Sequence, residues 1–130
     1  MARSKAEVAA MEFCEERLSL ITGAKVKRMS EGCGYDLEAG NLQVEVKGTE
    51  SAAPPFVQFT ARARRAAQEA TGFQMWLVTQ ATDREKRRLY IIPGDVFLRE
   101  AKLIVVWELP LGKKRLPCFA VEDSDTELQR

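Results

Sequence analysis

Three ionisable side chains could do chemistry together: Asp36, Glu45 and Lys47. Eight residues separate Asp36 from Glu45, and one residue separates Glu45 from Lys47. The alternating pattern of residues 34–38 and 42–48 predicts two neighbouring strands joined by a short turn. Because side chains alternate between the two faces of a strand, pairing of these strands would bring the three charged groups onto one face of a sheet.

The chemistry of this trio is that of a metal and phosphate site. Two neighbouring carboxylates suit a hard divalent cation, and an ammonium group beside them suits a phosphate or an activated water. The competing interpretation is a ladder of cross-strand ion pairs on an exposed sheet face, which the residues alone favour. The opposite faces of the two strands are predicted to be core: Tyr35 with Leu37, and Leu42 with Val44 and Val46.

The composition indicates one domain. The chain has 130 residues, of which 45% are apolar and 30% are charged, as is ordinary for a soluble globular protein. We expect residues 1–121 to form one domain and residues 122–130 to be an acidic, mobile tail. No apolar run reaches the length of a membrane span, and the amino terminus lacks the apolar region of a signal peptide. We therefore expect a cytoplasmic protein with no membrane partner.

The absence of histidine restricts the chemistry most. The sequence has no histidine and three widely spaced cysteines. A zinc site and a serine or cysteine triad with a histidine base are therefore effectively excluded. Catalysis would have to use carboxylates, lysine, tyrosine or a metal ion, with no organic cofactor.

Basic residues are clustered although the formal net charge is only +1. Arg62, Arg64 and Arg65 fall in the first part of a helix predicted at residues 61–70, with Thr60 as its N-cap. Three arginines there oppose the helix dipole, which makes more sense if an anion is nearby. A solvated helix face and a phosphate contact are both compatible with the cluster.

The remaining pattern predicts an α/β sandwich around a mixed sheet, in the order helix, three strands, helix and further strands. A helix at residues 4–21 would begin at Ser4 and stop at Gly23, with a buried stripe of Met11, Cys14, Leu18 and Ile21. The predicted strands are residues 24–29, 34–38, 42–48, 73–81, 89–92, 102–109 and 116–121, with a short helical segment near residues 96–100. Extending the stripe backwards reaches Glu7, whose place in the first turn also suits the helix dipole.

The charged motif resembles that of a nuclease superfamily. Asp36 followed by Glu45-Val46-Lys47 resembles the D…(D/E)xK signature of the PD-(D/E)xK, or restriction-endonuclease-like, superfamily. More narrowly, residues 34–37 (Gly-Tyr-Asp-Leu) and 44–49 (Val-Glu-Val-Lys-Gly-Thr) resemble the carboxyl-terminal domain of the plant protein NO VEIN. The resemblance extends from about residue 7 to residue 109 and implies a three-layer core with a mixed central sheet flanked by helices.

The resemblance also implies roles for the matching residues. Asp36 and Glu45 would bind Mg²⁺, for which Mn²⁺ can substitute, helped by the backbone carbonyl of Val46 and by Glu7. Lys47 would orient or deprotonate the attacking water. The nucleic-acid contacts expected beside this site are Thr49, Thr60, Arg62, Arg64 and Arg65.

The function implied is that of a Mg²⁺-dependent deoxyribonuclease acting in restriction, repair or mobile-element biology. Cutting both strands of a duplex would require a homodimer or successive nicks. Two alternatives stay open: a structure-specific endonuclease similar to archaeal Holliday junction resolvases, and a nuclease-fold module that binds DNA without cutting it.

Overall fold

Helices and strands follow one another in the order that the sequence predicts. The computed structural model describes residues 3–104, 109 and 112–121. Its elements are α1 (Lys5–Thr22), β1 (Lys27–Arg28), β2 (Leu37–Ala39), β3 (Leu42–Gly48), α2 (Ala61–Glu69), β4 (Phe73–Thr79), β5 (Arg88–Pro93), α3 (Gly94–Glu100) and α4 (Gly112–Arg115), followed by a 3-10 helix at Leu116–Phe119. The predicted succession of one helix, three strands, a second helix and a further strand is confirmed.

Helix α1 has the predicted ends and most of the predicted buried stripe. The Ser4 hydroxyl accepts a hydrogen bond from the Glu7 amide at 3.2 Å, and Gly23 ends the helix with a φ of +66°, a left-handed conformation that glycine adopts readily. Met11, Cys14 and Leu18 are buried, whereas Ile21 is 56% exposed. The stripe therefore ends one turn before the end of the helix.

The strands form one five-stranded mixed sheet in the order β1-β2-β3-β4-β5. Strands β3 and β4 are parallel, and the other neighbouring pairs are antiparallel. A parallel pair needs a crossover connection, which α2 supplies here. Strand β4 lies between β3 and β5, which explains why its sequence is almost continuously apolar.

Alternating side chains of β3 and β4 divide the core between two faces of the sheet. On the first, here called the α1 face, Val44 and Val46 pack with Trp76 and Val78 against α1. On the second, here called the α2–α3 face, Phe73 and Met75 pack against residues of α2 and α3. The protein thus has an α/β fold with helices on both faces of a mixed sheet, and residues 42–48 are held in its interior.

Strand predictions near both ends of the described chain need correction. The first strand covers only Lys27–Arg28 of the predicted residues 24–29, and residues 102–104 lie in no strand. The predicted edge strand at residues 116–121 is wrong, because Leu116–Phe119 form a 3-10 helix. Pro117 accounts for the difference, since proline fixes φ near the helical value and has no amide hydrogen for a strand pair. Residues 105–108 and the predicted tail, 122–130, lie outside the described residues.

The described helices include none that could cross a bilayer, because none is both long enough and apolar enough.

Candidate active site

Asp36 is fixed at the point where the pairing of β2 with β3 ends. Its amide donates to the Val44 carbonyl at 2.9 Å, and its own carbonyl accepts from the Met29 amide at 2.9 Å. Its carboxylate Oδ2 accepts from the Val46 amide at 2.7 Å, beyond Leu37 and Val44, which form the last β2–β3 pair. The Val46 amide has no backbone partner on β2, and the Asp36 carboxylate accepts its hydrogen bond instead. This hydrogen bond holds the carboxylate against β3.

Glu45 is the only buried charged side chain among the described residues, with 8% of its surface exposed. It is paired in register with Met75, so it lies on the α2–α3 face of the sheet. Burial first, and then the contact and charge of Asp36, raise the pKa of Glu45 to about 8, against the lowering effects of Lys47 and Arg3. Two carboxyl groups are thus held together in an environment that disfavours two negative charges.

Two cationic side chains flank the carboxyl pair. The Lys47 ammonium lies 3.9 Å from Glu45 Oε2, and its side chain is 29% exposed. The Arg3 guanidinium lies 3.7 Å from Asp36 Oδ1, and its side chain is 47% exposed. Lys47 is on the same strand as Glu45, so the backbone of β3 holds it near the carboxyl pair. The ion pair between Arg3 and Asp36 contributes little to stability, because the Arg3 side chain is exposed.

Asp36, Glu45 and Lys47 therefore come together as the spacing predicts, and the buried Glu45 disagrees with a fully exposed ion-pair ladder. The role of Glu7 as a metal ligand stays a prediction. Glu7 is exposed in the first turn of α1, where its carboxylate accepts a hydrogen bond from the Ser4 hydroxyl at 3.1 Å. This local contact follows from its place three residues after an N-cap serine.

The predicted alternation fails before Leu37. Leu37 is buried in the α1-face cluster, whereas Tyr35 packs beside the α2–α3-face cluster. The two side chains do not share a face because β2 begins only at Leu37. Gly32 and Gly34 have φ values of +88° and +100°, so the chain turns here instead of continuing as a strand.

Gly34 is required where this loop crosses α2. A Cβ atom at this position would lie 2.7 Å from the Arg62 carbonyl oxygen and 3.0 Å from the Ala66 side chain. We expect Gly34→Ala to lower the free energy of unfolding by about 1–3 kcal/mol, because strain at a positive φ is joined by a clash with backbone. Urea denaturation would measure this. Gly40→Ala is the matched control, since its φ is +57° and nothing lies within 4 Å; an equal loss in both variants would contradict the close approach.

The predicted nucleic-acid contacts lie on α2 and on the segments beside it. Arg62, Arg64 and Arg65 are exposed on α2, and none of them forms an ion pair with any residue that the structure describes. The Thr60 hydroxyl accepts from the Ala63 amide at 3.2 Å as the N-cap. The Thr49 hydroxyl accepts from the amide two residues later, at 3.1 Å. Both threonines thus have structural hydrogen bonds, and their contact with nucleic acid stays a prediction.

Arg3 is the member of the site that the sequence did not predict. It precedes the N-cap of α1 and has no motif partner, so its position near Asp36 depends entirely on how α1 packs on the sheet. No local pattern could have identified it.

The donor set fits a cation that needs few protein ligands. No group of three or more His, Cys, Asp or Glu side chains suited to a metal occurs among residues 3–104, 109 and 112–121. Mg²⁺ commonly uses one or two carboxylates and keeps several waters. Asp36 and Glu45 could supply these two carboxylates. The backbone carbonyl oxygen of Val46, between Glu45 and Lys47, could be a further ligand.

Comparison with known proteins identifies the family. A family model described as "Protein NO VEIN, C-terminal" matches residues 6–92, which is more than half of the chain. The chain belongs to the NO VEIN carboxyl-terminal family. Searches of curated proteins and of solved structures each found no match.

The part of the chain that matches the NO VEIN family contains the whole described site except Arg3. It runs from the first turn of α1 into β5 and includes the carboxyl pair, Lys47 and the arginines of α2. The resemblance to the NO VEIN carboxyl-terminal domain is thereby confirmed over residues 6–92.

Proposed function

We propose that this NO VEIN-type domain hydrolyses phosphodiester bonds in DNA with the help of Mg²⁺, on a restriction-endonuclease-like core. The observation that carries the proposal is the buried Glu45 held beside Asp36, with Lys47 3.9 Å from it. A purely structural ion pair does not need a second carboxyl group in the same buried place. A divalent cation would relieve the repulsion between the two carboxylates.

Each of the three site residues would have its own role in the proposed hydrolysis. Asp36 is aligned by the Val46 amide, so its other oxygen, which lies 3.7 Å from the Arg3 guanidinium, is presented in a fixed direction. Glu45 projects from the neighbouring strand, and Lys47 is exposed enough to reach a bound phosphate or the water that attacks it. When bound, Mg²⁺ supplies charge stabilisation at the phosphoryl group and lowers the pKa of a water.

Helix α2 supports binding to a polyanion. Its three arginines carry positive charge where the helix dipole is already positive, which is unfavourable in the free protein. A phosphate near Arg62 and Arg65 would be attracted both by the arginines and by the helix dipole. Salt would screen this attraction and weaken the binding. DNA therefore fits this surface better than a neutral ligand does.

A second candidate function is a module with the same fold that binds DNA without cutting it. This alternative is favoured because, among the described residues, no third acidic side chain forms a metal-binding group with Asp36 and Glu45. Nucleases and binding modules would share the basic helix, so DNA binding alone does not separate them.

Cleavage of a set of substrates would separate the two functions. Supercoiled plasmid, linear duplex, single strands and a four-way junction should each be incubated with Mg²⁺, Mn²⁺ or EDTA. The proposal expects cutting of at least one DNA with either metal and none in EDTA. Binding without cutting of any substrate would support the module, and preference for the junction would identify a structure-specific enzyme.

A further inference from the structure

A cavity of about 280 Å³ lies between the loop that precedes Asp36 and the outer side of α2. The loop contributes Gly32 and Tyr35, and the helix contributes Arg62, Arg65 and Glu69. The volume is near the lower end of the roughly 300–1,000 Å³ that is typical of small-molecule sites. It exceeds what a phosphate group alone would fill.

The cavity is built by the close crossing of the loop and the helix. The Arg62 side chain lies against Gly32, where a Cβ atom would be 3.2 Å from its Nη1. Two residues further on, Gly34 packs on the backbone of Arg62. The chain then passes directly through Tyr35 to Asp36, so the cavity and the carboxyl pair share one segment.

The lining combines charge with flat and apolar surfaces. Arg62 and Arg65 are on the first two turns of α2, and Glu69 is near its carboxyl end, about 10 Å from Arg62 along the axis. The methyl group of Ala66 lies between these charges. The Tyr35 hydroxyl donates to Glu38 Oε2 at 2.6 Å, and its half-buried side chain, which packs beside the α2–α3-face cluster, also lines the cavity. One end of the cavity thus attracts an anion, and the other disfavours a ligand that is anionic throughout.

We propose that this cavity binds one unpaired nucleotide of the substrate strand, with its phosphate at Arg62 and Arg65 and its base against the part of Tyr35 that lines the cavity. The inference rests on the proposed function and adds a substrate class to it: DNA with a single-stranded end or an extrahelical nucleotide. A base within a duplex is stacked on both sides and has no free face to offer the cavity. An unpaired base can stack on an aromatic ring whatever its sequence.

Arg64 provides a matched control. It is on the same helix and carries the same charge, but it does not line the cavity. Both arginines are exposed, and alanine is a good helix former, so Arg64→Ala and Arg65→Ala should fold alike. If the arginines act only through their charge, the two substitutions should weaken DNA binding equally. If the cavity binds the DNA, only Arg65→Ala should remove a contact in it.

Fluorescence anisotropy of labelled DNA in EDTA tests the proposal without cleavage. A blunt duplex, the same duplex with a short overhang, and the overhang with its bases removed would be compared. We expect the overhang to raise the affinity about tenfold and the abasic overhang to lose most of that gain. Arg65→Ala should remove the gain, and Arg64→Ala should weaken all three DNAs by the same factor.

The proposal is overturned if blunt and overhanging duplexes bind equally, if neither binds, or if Arg64→Ala removes the gain as fully as Arg65→Ala. Cleavage measured separately keeps the two ideas apart. Mg²⁺-dependent cutting that ignores the overhang would overturn the cavity assignment alone. An Arg65-dependent overhang preference in a protein that cuts nothing would overturn the proposed hydrolysis alone.

Discussion

Lys47→Ala is expected to slow DNA cleavage by about 10²–10⁴-fold, the range for losing a positioned proton-transfer group. Lys47 is the cation fixed on the same strand as Glu45, and its ammonium can reach both the carboxyl pair and solvent. The variant should still bind DNA in EDTA to within a few-fold, because it removes one positive charge from a surface that carries several.

The cleavage rate and the metal-free affinity should be measured on the same DNA. Lys25→Ala is a suitable control, since Lys25 is exposed between α1 and β1 and has no part in the proposed site. We expect this control to cut at the wild-type rate. Unchanged cleavage in Lys47→Ala would exclude Lys47 from the chemistry, and equal loss of cleavage and binding would assign it to binding alone.

Glu45→Gln is expected to abolish cleavage and, in EDTA, to make the protein more stable. The substitution keeps the shape of a buried side chain and removes a charge that burial and Asp36 both disfavour. A gain of about 0.5–2 kcal/mol is the usual size when a strained functional group is relieved. For a domain of this length, that is roughly 2–6 °C in melting temperature.

The stability gained by Glu45→Gln should increase as the pH rises. The pKa of Glu45 is raised in the folded protein from 4.5 to about 8, so the folded state holds this proton more tightly than the unfolded state does. Its contribution to stability is complete below pH 4.5 and is lost as the pH rises to about 8. The advantage of Glu45→Gln in EDTA should therefore be larger at pH 8.5 than at pH 4.5.

Melting curves with and without Mg²⁺ complete this prediction. At pH 8.5, Mg²⁺ should raise the melting temperature of the wild type and leave that of Glu45→Gln unchanged, because only the wild type keeps both carboxylates. A variant that is less stable than the wild type in EDTA at this pH would show that Glu45 is a structural ion-pair partner.

The sequence predicted the parts of the fold in which local and tertiary preferences agree. Helix α1 has a capping serine and a terminal glycine, and β4 is apolar enough to be central, so both were placed within one or two residues of their bounds. Glu45 and Lys47 lie on one face as predicted because β3 is regular and its period of two holds throughout. Asp36 lies beside them because its carboxylate accepts from the Val46 amide.

The errors occur where tertiary contacts overrule the local pattern. The alternating pattern predicts Tyr35 and Leu37 on one face of a strand, but the close crossing of Gly34 over α2 delays the start of β2. The metal role of Glu7 follows from the family resemblance alone and stays a prediction, while the structure shows its carboxylate accepting a hydrogen bond from Ser4. Arg3 could not be found at all, because its neighbour Asp36 is distant in sequence.

The most direct test of the central claim is the rate of plasmid nicking by the wild type and Asp36→Asn across a range of Mg²⁺ concentrations. Asparagine keeps an oxygen that can accept from the Val46 amide, so the fold should persist while one carboxylate is lost. We predict nicking that rises and saturates with Mg²⁺ in the wild type and is absent in Asp36→Asn. Nicking of equal rate in both proteins, or in neither at any Mg²⁺ concentration, would contradict a metal-dependent nuclease site at Asp36 and Glu45.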